Sequence, residues 1–290
     1  MVATDLDGTL LRPGGRVSTR TGRAVQEARA AGIAVIPATA RPPSSMSAAC
    51  AGAPVGPLAV CSNGSILWDV EARRLLEHHS LPAASAARAV MAVREALPGS
   101  RFACEVLDSF RYEVGMLEPE QALAWGIEEE PVGDILDHLA GEVTKVCCWH
   151  PHLDGPEMAD LVRSIAAGSA EVTSAGAGWA LAGAPGVTKA STLARACERL
   201  GVSPPAVLAV GDEHNDLAML AWAGHGVAVA NARPEVLAVA DETVPANLDD
   251  GVAVLLEWLV EARRAGPSGT PRPPGRGGRQ RASPASTPPG

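Results

Sequence analysis

Short apolar runs alternate with helical stretches near both ends of the chain, and this alternation constrains the fold more than any other feature. The predicted strands are 2–4, 33–37, 58–61, 206–210 and 226–229. The predicted helices are 19–31, a stretch after Pro43, 189–200, 215–223 and 250–264. Such alternation favours an α/β fold in which helices cover both faces of a doubly wound, Rossmann-like parallel sheet.

The segment from about residue 81 to residue 184 follows a different pattern. Its helical stretches at 83–97 and 155–167 lie among strand candidates at 101–107, 110–116, 143–149 and 170–173. We therefore predict an inserted α+β domain at 81–184 and a discontinuous core made of 1–80 and 185–265. Residues 266–290 are rich in Pro, Gly, Ser and Arg, so we expect this tail to be disordered.

The net charge of −9 argues against nucleic acid as the main partner. Four arginines and no acid fall in 266–290, which leaves about −13 on residues 1–265. A surface with that charge repels phosphate backbones. A small phosphorylated metabolite remains a suitable partner if a bound cation offsets the field locally.

Cysteine usage and hydropathy predict a cytoplasmic protein that does not enter a membrane. The six cysteines include no C-x-x-C pair, which fits a reducing compartment. No signal peptide precedes the first motif, and no uncharged apolar stretch reaches the roughly 18 residues of a membrane span. We expect a monomer or a weak dimer.

The first chemical motif is Asp5-Leu6-Asp7-Gly8-Thr9, directly after a predicted strand. Ligand sites of open α/β sheets lie beyond the carboxyl ends of strands, and residues two apart can face the same side. Asp5 and Asp7 are therefore candidates for one crevice, where one carboxylate attacks a phosphoryl group and the other transfers protons. Two acids in a turn are common, so the motif alone leaves both interpretations open.

Two further motifs offer groups that bind phosphate. Thr39 follows the strand candidate 33–37, and its hydroxyl can donate a hydrogen bond to a phosphoryl oxygen. Lys189 opens a helix, and its ammonium can neutralise the attacking carboxylate and the phosphoryl charge. A strand-end threonine is usually a cap and a lysine is usually solvated. However, this chain has only two lysines, Lys145 and Lys189, beside 22 arginines.

The fourth motif, Gly211-Asp212-Glu213-His214-Asn215-Asp216, lies between the strand candidate 206–210 and a helix. Mg²⁺ prefers oxygen ligands and keeps several waters. Asp5, Asp212 and the backbone carbonyl of Asp7 can supply protein oxygens. Asp216 can hold these ligands in position without itself binding the metal. An acidic helix N-terminus explains one of these acids, but it does not explain the ordered set D-x-D, Thr, Lys and G-D-x-x-N-D.

With its motifs in this order, the chain resembles the haloacid dehalogenase superfamily of phosphohydrolases, specifically the Cof-type branch with a type II cap. The resemblance extends from Val2 to about Leu259. It rests on the segments ATDLDGTLL, ATAR at 38–41, SNG at 62–64, GVTK at 186–189 and GDEHNDLAML. Ala40 and Ala190 stand where this family generally has glycine.

The resemblance implies catalytic roles for the motif residues. Asp5 would be the nucleophile, and Asp7 would be the general acid and base. Thr39 and Lys189 would bind the transferring phosphoryl group, and Asn215 would contact that group or Lys189.

The resemblance also implies a metal site and a cap. Asp5, Asp212 and the Asp7 carbonyl would hold Mg²⁺, supported by Asp216. The insertion at 81–184 would be a cap that closes over the substrate and supplies specificity. Its tryptophans are expected to pack in the core of the cap, although one could face a substrate: Trp125, Trp149 and Trp179.

We therefore expect a Mg²⁺-dependent phosphatase that hydrolyses a small phosphomonoester, a sugar phosphate or a phosphorylated cofactor, through an aspartyl-phosphate intermediate. A phosphomutase with the same chemistry is the alternative, because the residues do not decide between water and a sugar as acceptor. A signalling receiver is disfavoured because it has no place for the insertion. An inactive metabolite-binding protein is disfavoured because no catalytic position is missing.

Overall fold

The computed structural model describes residues 1–118, 120, 122, 127, 130–175, 178–265 and 276–277. Its strands, in chain order, are β1 Val2–Thr4, β2 Val35–Pro37, β3 Leu58–Cys61, β4 Ile66–Asp69, β5 Arg74–His78, β6 Leu81–Pro82, β7 Arg101–Val106, β8 Ser109–Tyr112, β9 Glu142–Val143, β10 Lys145–Trp149, β11 Glu171–Ser174, β12 Trp179–Gly183, β13 Leu208–Gly211, β14 His225–Val229, β15 Glu242–Val244 and β16 Arg276–Gly277. Its described α-helices are α1 Thr19–Ala30, α2 Pro43–Ala49, α3 Ala83–Ala96, α4 Gly155–Ala166, α5 Lys189–Leu200, α6 Leu217–Trp222, α7 Pro234–Val239 and α8 Gly251–Ala265. None of the helices it describes is both long and apolar enough to cross a membrane.

The central sheet has the strand order β16-β15-β14-β13-β1-β2. Its strands run parallel except for β16, which is antiparallel to β15. One hydrophobic cluster joins the buried residues of this sheet to the apolar faces of α1, α5 and α8. The predicted doubly wound α/β core is therefore confirmed.

Side-chain caps set where two of these helices begin. The hydroxyl of Ser18 accepts a hydrogen bond from the N–H of Thr21 and starts α1. Thr188 does the same for the N–H of Ser191 at 3.1 Å and starts α5. These caps satisfy backbone donors that have no partner within the helix. Lys189 is consequently fixed as the first residue of α5.

The register of the central strands brings three of the motifs together at the carboxyl-terminal ends of neighbouring strands. Within the sheet, Val2 pairs with Leu208 of β13 and with Val35 of β2. The carboxyl ends of β1, β2 and β13 therefore meet. Asp5 and Asp212 follow β1 and β13 directly, as expected for ligand sites in open α/β sheets.

An antiparallel sheet of order β11-β12-β10-β7-β8 occupies the predicted insertion. Successive residues of a strand face opposite sides. On β10, Val146 and Cys148 pack on one side in a cluster with residues of α3 and α4. Cys147 faces the other side, in a second apolar cluster that also contacts Ala40 of the core. The predicted inserted α+β cap is confirmed as a fold class, whereas its exact limits stay a prediction.

Several elements differ from the sequence expectations. The strand β12 was not predicted, because its sequence Trp-Ala-Leu-Ala-Gly lacks β-branched residues. The hairpin β4–β5, the helix α7 and the strand β15 were also missed. The predicted disordered tail lies outside the described residues except for β16, where Gly277 pairs with Glu242.

Candidate active site at the sheet edge

Asp5 lies at the carboxyl end of β1, which runs between β13 and β2. Its backbone N–H donates a hydrogen bond to the carbonyl of Val210 at 2.9 Å, which extends the contact between β1 and β13 by one residue. Its side chain is only 7% exposed. The strand therefore presents a buried carboxylate at a fixed position.

Lys189 is the cation of this site, and its side chain is 1% exposed. Its Nζ donates hydrogen bonds to Oδ1 of Asp5 at 2.6 Å and to Oδ1 of Asp216 at 2.8 Å. The other oxygen of Asp216 accepts the backbone N–H groups of Asp212 at 3.0 Å and Glu213 at 3.1 Å. An ammonium can stay buried here because two carboxylates offset the loss of water.

Asp212 faces the loop that follows β1. Its Oδ1 accepts a hydrogen bond from the hydroxyl of Thr9 at 2.6 Å. Gly8 lies beside it with φ +81°, and a Cβ built on Gly8 would meet Oδ2 of Asp212 at 2.2 Å. Only glycine adopts this backbone conformation without strain and also leaves room for the carboxylate.

Burial and crowding shift the pKa values of the site. Burial raises the pKa of Asp5 well above its ordinary value of 3.8, although Lys189 opposes the shift. Burial also raises the pKa of Asp212 to about 7, and the negative charge of Asp216 adds to this shift. For Lys189, burial lowers the pKa, but Asp216 and Asp5 raise it by more. The acids thus outnumber the lysine, which favours binding of a divalent cation.

The acidic residues fit the predicted metal. Carboxylate oxygens of Asp5, Asp212 and Asp216 lie within 4.8 Å of one another. No second group of three or more potential ligand side chains occurs in the part of the chain that the structure describes. An all-oxygen set suits Mg²⁺. Both oxygens of Asp216 already accept hydrogen bonds. This fits the prediction that Asp216 orients the metal ligands without being one of them.

The carboxylate of Asp7 is paired with Arg41 instead of joining the buried acids. Nε and Nη2 of Arg41 donate to its two oxygens at 2.7 and 2.6 Å. The Asp7 side chain is 52% exposed, whereas that of Arg41 is 11% exposed. A bidentate guanidinium fixes both the position and the orientation of a carboxylate. Asp7 therefore stands at the mouth of the site, beside the buried Asp5.

Thr39 and Asn215 both lie against the loop that holds Asn63. The carbonyl of Thr39 accepts the N–H of Asn63 at 2.9 Å, and its hydroxyl accepts the N–H of Arg41 at 3.1 Å. Nδ2 of Asn215 donates to Oδ1 of Asn63 at 3.2 Å. Oδ1 of Asn215 is buried and has no hydrogen-bond partner among the described residues. A buried oxygen in this state indicates a place for a further donor.

A cavity of about 240 Å³ adjoins Asp7 and Arg41 and separates the sheet edge from the cap. Its cap wall includes a buried ion pair, in which Nζ of Lys145 lies 2.9 Å from Oε2 of Glu105. Lys145 also donates a hydrogen bond to the carbonyl of Ala40. The cavity thus lies between the loop that carries Asp7 and Arg41 and the cap sheet.

Sequence reasoning brought out Asp5, Asp212, Asp216 and Lys189, and the structure brings these four together. It missed Arg41, Lys145 and Glu105. For Arg41 and Lys145, the sequence contains a feature that could have indicated a role in the site. Arg41 closes the 38–41 segment, and Lys145 is the only lysine besides Lys189.

Comparison with known proteins supports a single family. A family model of haloacid dehalogenase-like hydrolases matches residues 2–256. A 5-amino-6-(5-phospho-D-ribitylamino)uracil phosphatase of Bacillus subtilis is 27% identical over 259 residues, covering 89% of this chain and 96% of its own length. A pyridoxal phosphate phosphatase of Escherichia coli is 24% identical over 287 residues, with 87% and 96% covered. The fold matches a haloacid dehalogenase-like hydrolase of Bacteroides thetaiotaomicron with a TM-score of 0.74 at 24% identity, over 89% of this chain and 98% of that one.

The chain belongs to the haloacid dehalogenase-like hydrolase family. This membership confirms the resemblance seen in the motifs. The phosphatases among its full-length relatives confirm the predicted enzyme class, a phosphoric monoester hydrolase.

Proposed function

We propose that this enzyme is a Mg²⁺-dependent phosphatase that hydrolyses a small phosphomonoester, a sugar phosphate or a phosphorylated cofactor, through an aspartyl-phosphate intermediate. The observation that carries the proposal is the position of Lys189, whose Nζ lies 2.6 Å from Asp5 and 2.8 Å from Asp216. A buried carboxylate can accept an anionic phosphoryl group only where fixed positive charge offsets both. The uracil and pyridoxal phosphate phosphatases among the relatives support a small phosphorylated substrate.

In the proposed reaction, the carboxylate of Asp5 attacks phosphorus, and the bond from phosphorus to the leaving oxygen breaks. Asp7, once it has turned away from Arg41 and taken up a proton from solvent, gives that proton to the leaving oxygen, so the leaving group departs as a neutral alcohol. Asp7 then takes a proton from the water that attacks the aspartyl phosphate. Lys189 and Thr39 hold the phosphoryl oxygens, and inorganic phosphate leaves while Asp5 is restored.

Asp5, Asp212 and the backbone carbonyl of Asp7 would hold Mg²⁺, with Asp216 orienting them. When bound, Mg²⁺ would supply the positive charge that lets a carboxylate approach a phosphoryl group. The three carboxylates within 4.8 Å of one another support this arrangement. The unpartnered Oδ1 of Asn215 accepts hydrogen bonds, so it supports a contact with a donor such as the ammonium of Lys189 and not with a phosphoryl oxygen.

We further propose that residues 81–184 act as the cap and close over the substrate. The contact between the N–H of Ser44 and the carboxylate of Asp108, at 3.0 Å, supports this role because it joins the core to the insertion. All six cysteines are free thiols, which supports the expected cytoplasmic location. A monomer or weak dimer stays a prediction.

A panel of phosphomonoesters, with and without Mg²⁺, tests the function. We expect phosphate release that requires the metal and that disappears in Asp5→Asn. Asp160→Asn is the matched control, because this carboxylate is 78% exposed. Equal release by Asp5→Asn would contradict the nucleophile. Formation of a new phosphorylated sugar in place of free phosphate would favour the phosphomutase.

A further inference from the structure

The turn Ser62-Asn63-Gly64 follows β3 and lies beside the catalytic residues. A parallel bridge joins Val60 of β3 to Ala38, which follows β2, so the carboxyl end of β3 lies next to that of β2. All three residues of the turn have positive φ, at +52°, +61° and +104°. A non-glycine residue in this left-handed region is strained, and such strain persists only where the surroundings enforce it. Contacts with neighbouring segments therefore hold the turn in place.

The backbone of the turn contacts two segments that supply predicted phosphate-binding groups. The N–H of Asn63 donates a hydrogen bond to the carbonyl of Thr39 at 2.9 Å. The carbonyl of Gly64 accepts the hydroxyl of Thr192 at 2.6 Å, and Thr192 belongs to the helix α5 that begins at Lys189. The turn thus connects the segment of Thr39 to the helix that carries the buried lysine.

The side chain of Asn63 fixes a third group, the amide of Asn215. Nδ2 of Asn215 donates to Oδ1 of Asn63 at 3.2 Å, although 152 positions separate the two residues. Because an oxygen can only accept, an Asn215 amide rotated by half a turn would bring two oxygens together. In the observed orientation, Oδ1 of Asn215 is buried and has no hydrogen-bond partner among the described residues. The contact with Asn63 therefore keeps an acceptor available inside the site.

An acceptor at this place suits the ammonium of Lys189. An ammonium has three N–H donors, and two of them point to Asp5 at 2.6 Å and to Asp216 at 2.8 Å. Asp216 directly follows Asn215 in the chain. With Asp216 and Asn215 holding two N–H groups, the third is aimed at Asp5 and at a phosphoryl oxygen bound to it. A rigid pair of acceptors therefore sets the direction of the lysine.

We propose that Asn63 is a positioning residue of the active site, which orients the amide of Asn215 so that its oxygen accepts from Lys189 and aims the lysine at the phosphoryl group. The inference rests on the proposed phosphatase function and adds a residue to its phosphate-binding site. In the part of the chain that the structure describes, the side chain of Asn63 makes its hydrogen bond with Asn215 and none with the acids. It should therefore act on phosphate and leave the metal unaffected.

The variant Asn63→Gly separates this role from a purely conformational one. Asparagine also tolerates the left-handed region better than most residues, so it could be present for the backbone alone. Glycine adopts φ +61° without strain, and it removes the amide while keeping the backbone N–H that holds Thr39. If the backbone were the whole reason for Asn63, the glycine variant would be fully native.

Calorimetry with inorganic phosphate in excess Mg²⁺ tests the inference. For Asn63→Gly we expect the Kd of phosphate to rise about three- to tenfold, the net contribution of one hydrogen bond. The Mg²⁺ concentration for half-maximal phosphatase activity should stay native. The matched control is Arg73→Gly, which also replaces a left-handed residue, with φ +50°, but at an exposed turn between β4 and β5. It should change neither quantity.

A double-mutant cycle with Asn215→Ala shows whether Asn63 acts through Asn215. We expect Asn215→Ala to weaken phosphate binding at least as much as Asn63→Gly does. The combined variant should bind phosphate as weakly as Asn215→Ala alone. Losses that multiply would overturn the inference, as would a native Kd in Asn63→Gly or an equal loss of Mg²⁺ affinity.

Failure of the proposed function would give a different result. A native enzyme that releases no phosphate from any phosphomonoester would contradict the phosphatase, while the cycle with inorganic phosphate needs no turnover and would still decide the role of Asn63. A native enzyme that hydrolyses phosphomonoesters, and that Asn63→Gly equals in both Kd and kcat/KM, would overturn only that role. A native enzyme that binds no inorganic phosphate would overturn both.

Discussion

The ammonium of Lys189 lies 2.6 Å from the carboxylate of Asp5, although 184 positions separate the two residues. The pair is almost completely buried. Neither charge can turn to water when the other is removed, so the two residues are coupled in stability as well as in chemistry.

Replacing Lys189 by methionine should therefore both inactivate and destabilise the enzyme. Removing one partner of a buried ion pair typically costs about 3–5 kcal/mol of unfolding free energy. Urea denaturation measures this loss, and phosphate release measures the activity. Lys189→Arg keeps the charge and should lose less stability. A Lys189→Met protein with native stability and turnover would contradict the role of this lysine.

Gly8→Ala should weaken cation binding, because the new Cβ would collide with Oδ2 of Asp212. Gly14→Ala is the matched control. Gly14 has a similar φ of +95°, but nothing lies within 4 Å of its built Cβ. Both substitutions share the cost of a left-handed backbone. Only Gly8→Ala should raise the Mg²⁺ concentration needed for half-maximal activity, by about tenfold or more; an equal effect of both would point to backbone strain.

Mg²⁺ affinity should fall as the pH drops below 7. The pKa of Asp212 is raised to about 7 in the metal-free site, so a proton competes with the cation below that pH. We expect about a tenfold loss of affinity per pH unit below 7 and a constant affinity well above it. Calorimetric titrations with Mg²⁺ at pH 6, 7 and 8 check this. A constant affinity across that range would contradict it.

The same pKa shift predicts how the stability of the metal-free protein depends on pH. The pKa of Asp212 is higher in the folded state than its ordinary 3.8. Folded protein thus binds more protons than the unfolded chain between about pH 4 and 7, and its stability falls as the pH rises through that window. Thermal unfolding in a metal chelator measures the fall. Asp212→Asn should flatten the profile and raise the Tm near pH 7, whereas an unchanged slope would exclude Asp212 as its origin.

Lys145 and Glu105 should behave as a coupled pair that joins the cap to the core. Lys145→Met leaves the fully buried carboxylate of Glu105 without its cation, and we expect a loss of about 3–5 kcal/mol. Replacing both residues by methionine removes the uncompensated charge and should recover much of that loss. Urea unfolding of the two single variants and the double variant gives the coupling free energy. Additive losses would contradict direct coupling.

The sequence predicted the core and the acidic edge because both depend on local patterns. Asp5 and Asp212 each follow a short apolar strand, and a parallel sheet brings such positions together without any knowledge of side-chain contacts. The ion pair of Asp7 with Arg41 was not predicted, since a bidentate contact depends on the path of a loop. The alignment of Lys145 with Glu105 depends on strand register in the cap, which neither segment reveals alone.

Trp179 illustrates the same limit. We predicted that Trp179 lies in the cap and packs in its core. The residue is only 8% exposed, which agrees with that prediction. Whether a buried tryptophan packs against helices or lines a cavity depends on which face of the sheet it occupies. That face follows from its pairing with Trp149, and β12 had not been predicted as a strand.

The position of β1 between β2 and β13 has a consequence for biosynthesis. While the nascent chain leaves the ribosome, β1 and β2 emerge long before β13, which is the second neighbour of β1. The strands of the cap can pair with one another before β13 appears. One side of β1 therefore stays a bare strand edge until β13 arrives, and such edges invite association with other chains. Chains that stop short of Leu208 should accordingly precipitate or require chaperones, because they contain only β1 and β2 of the six described strands of this sheet and lack β13, the second partner of β1.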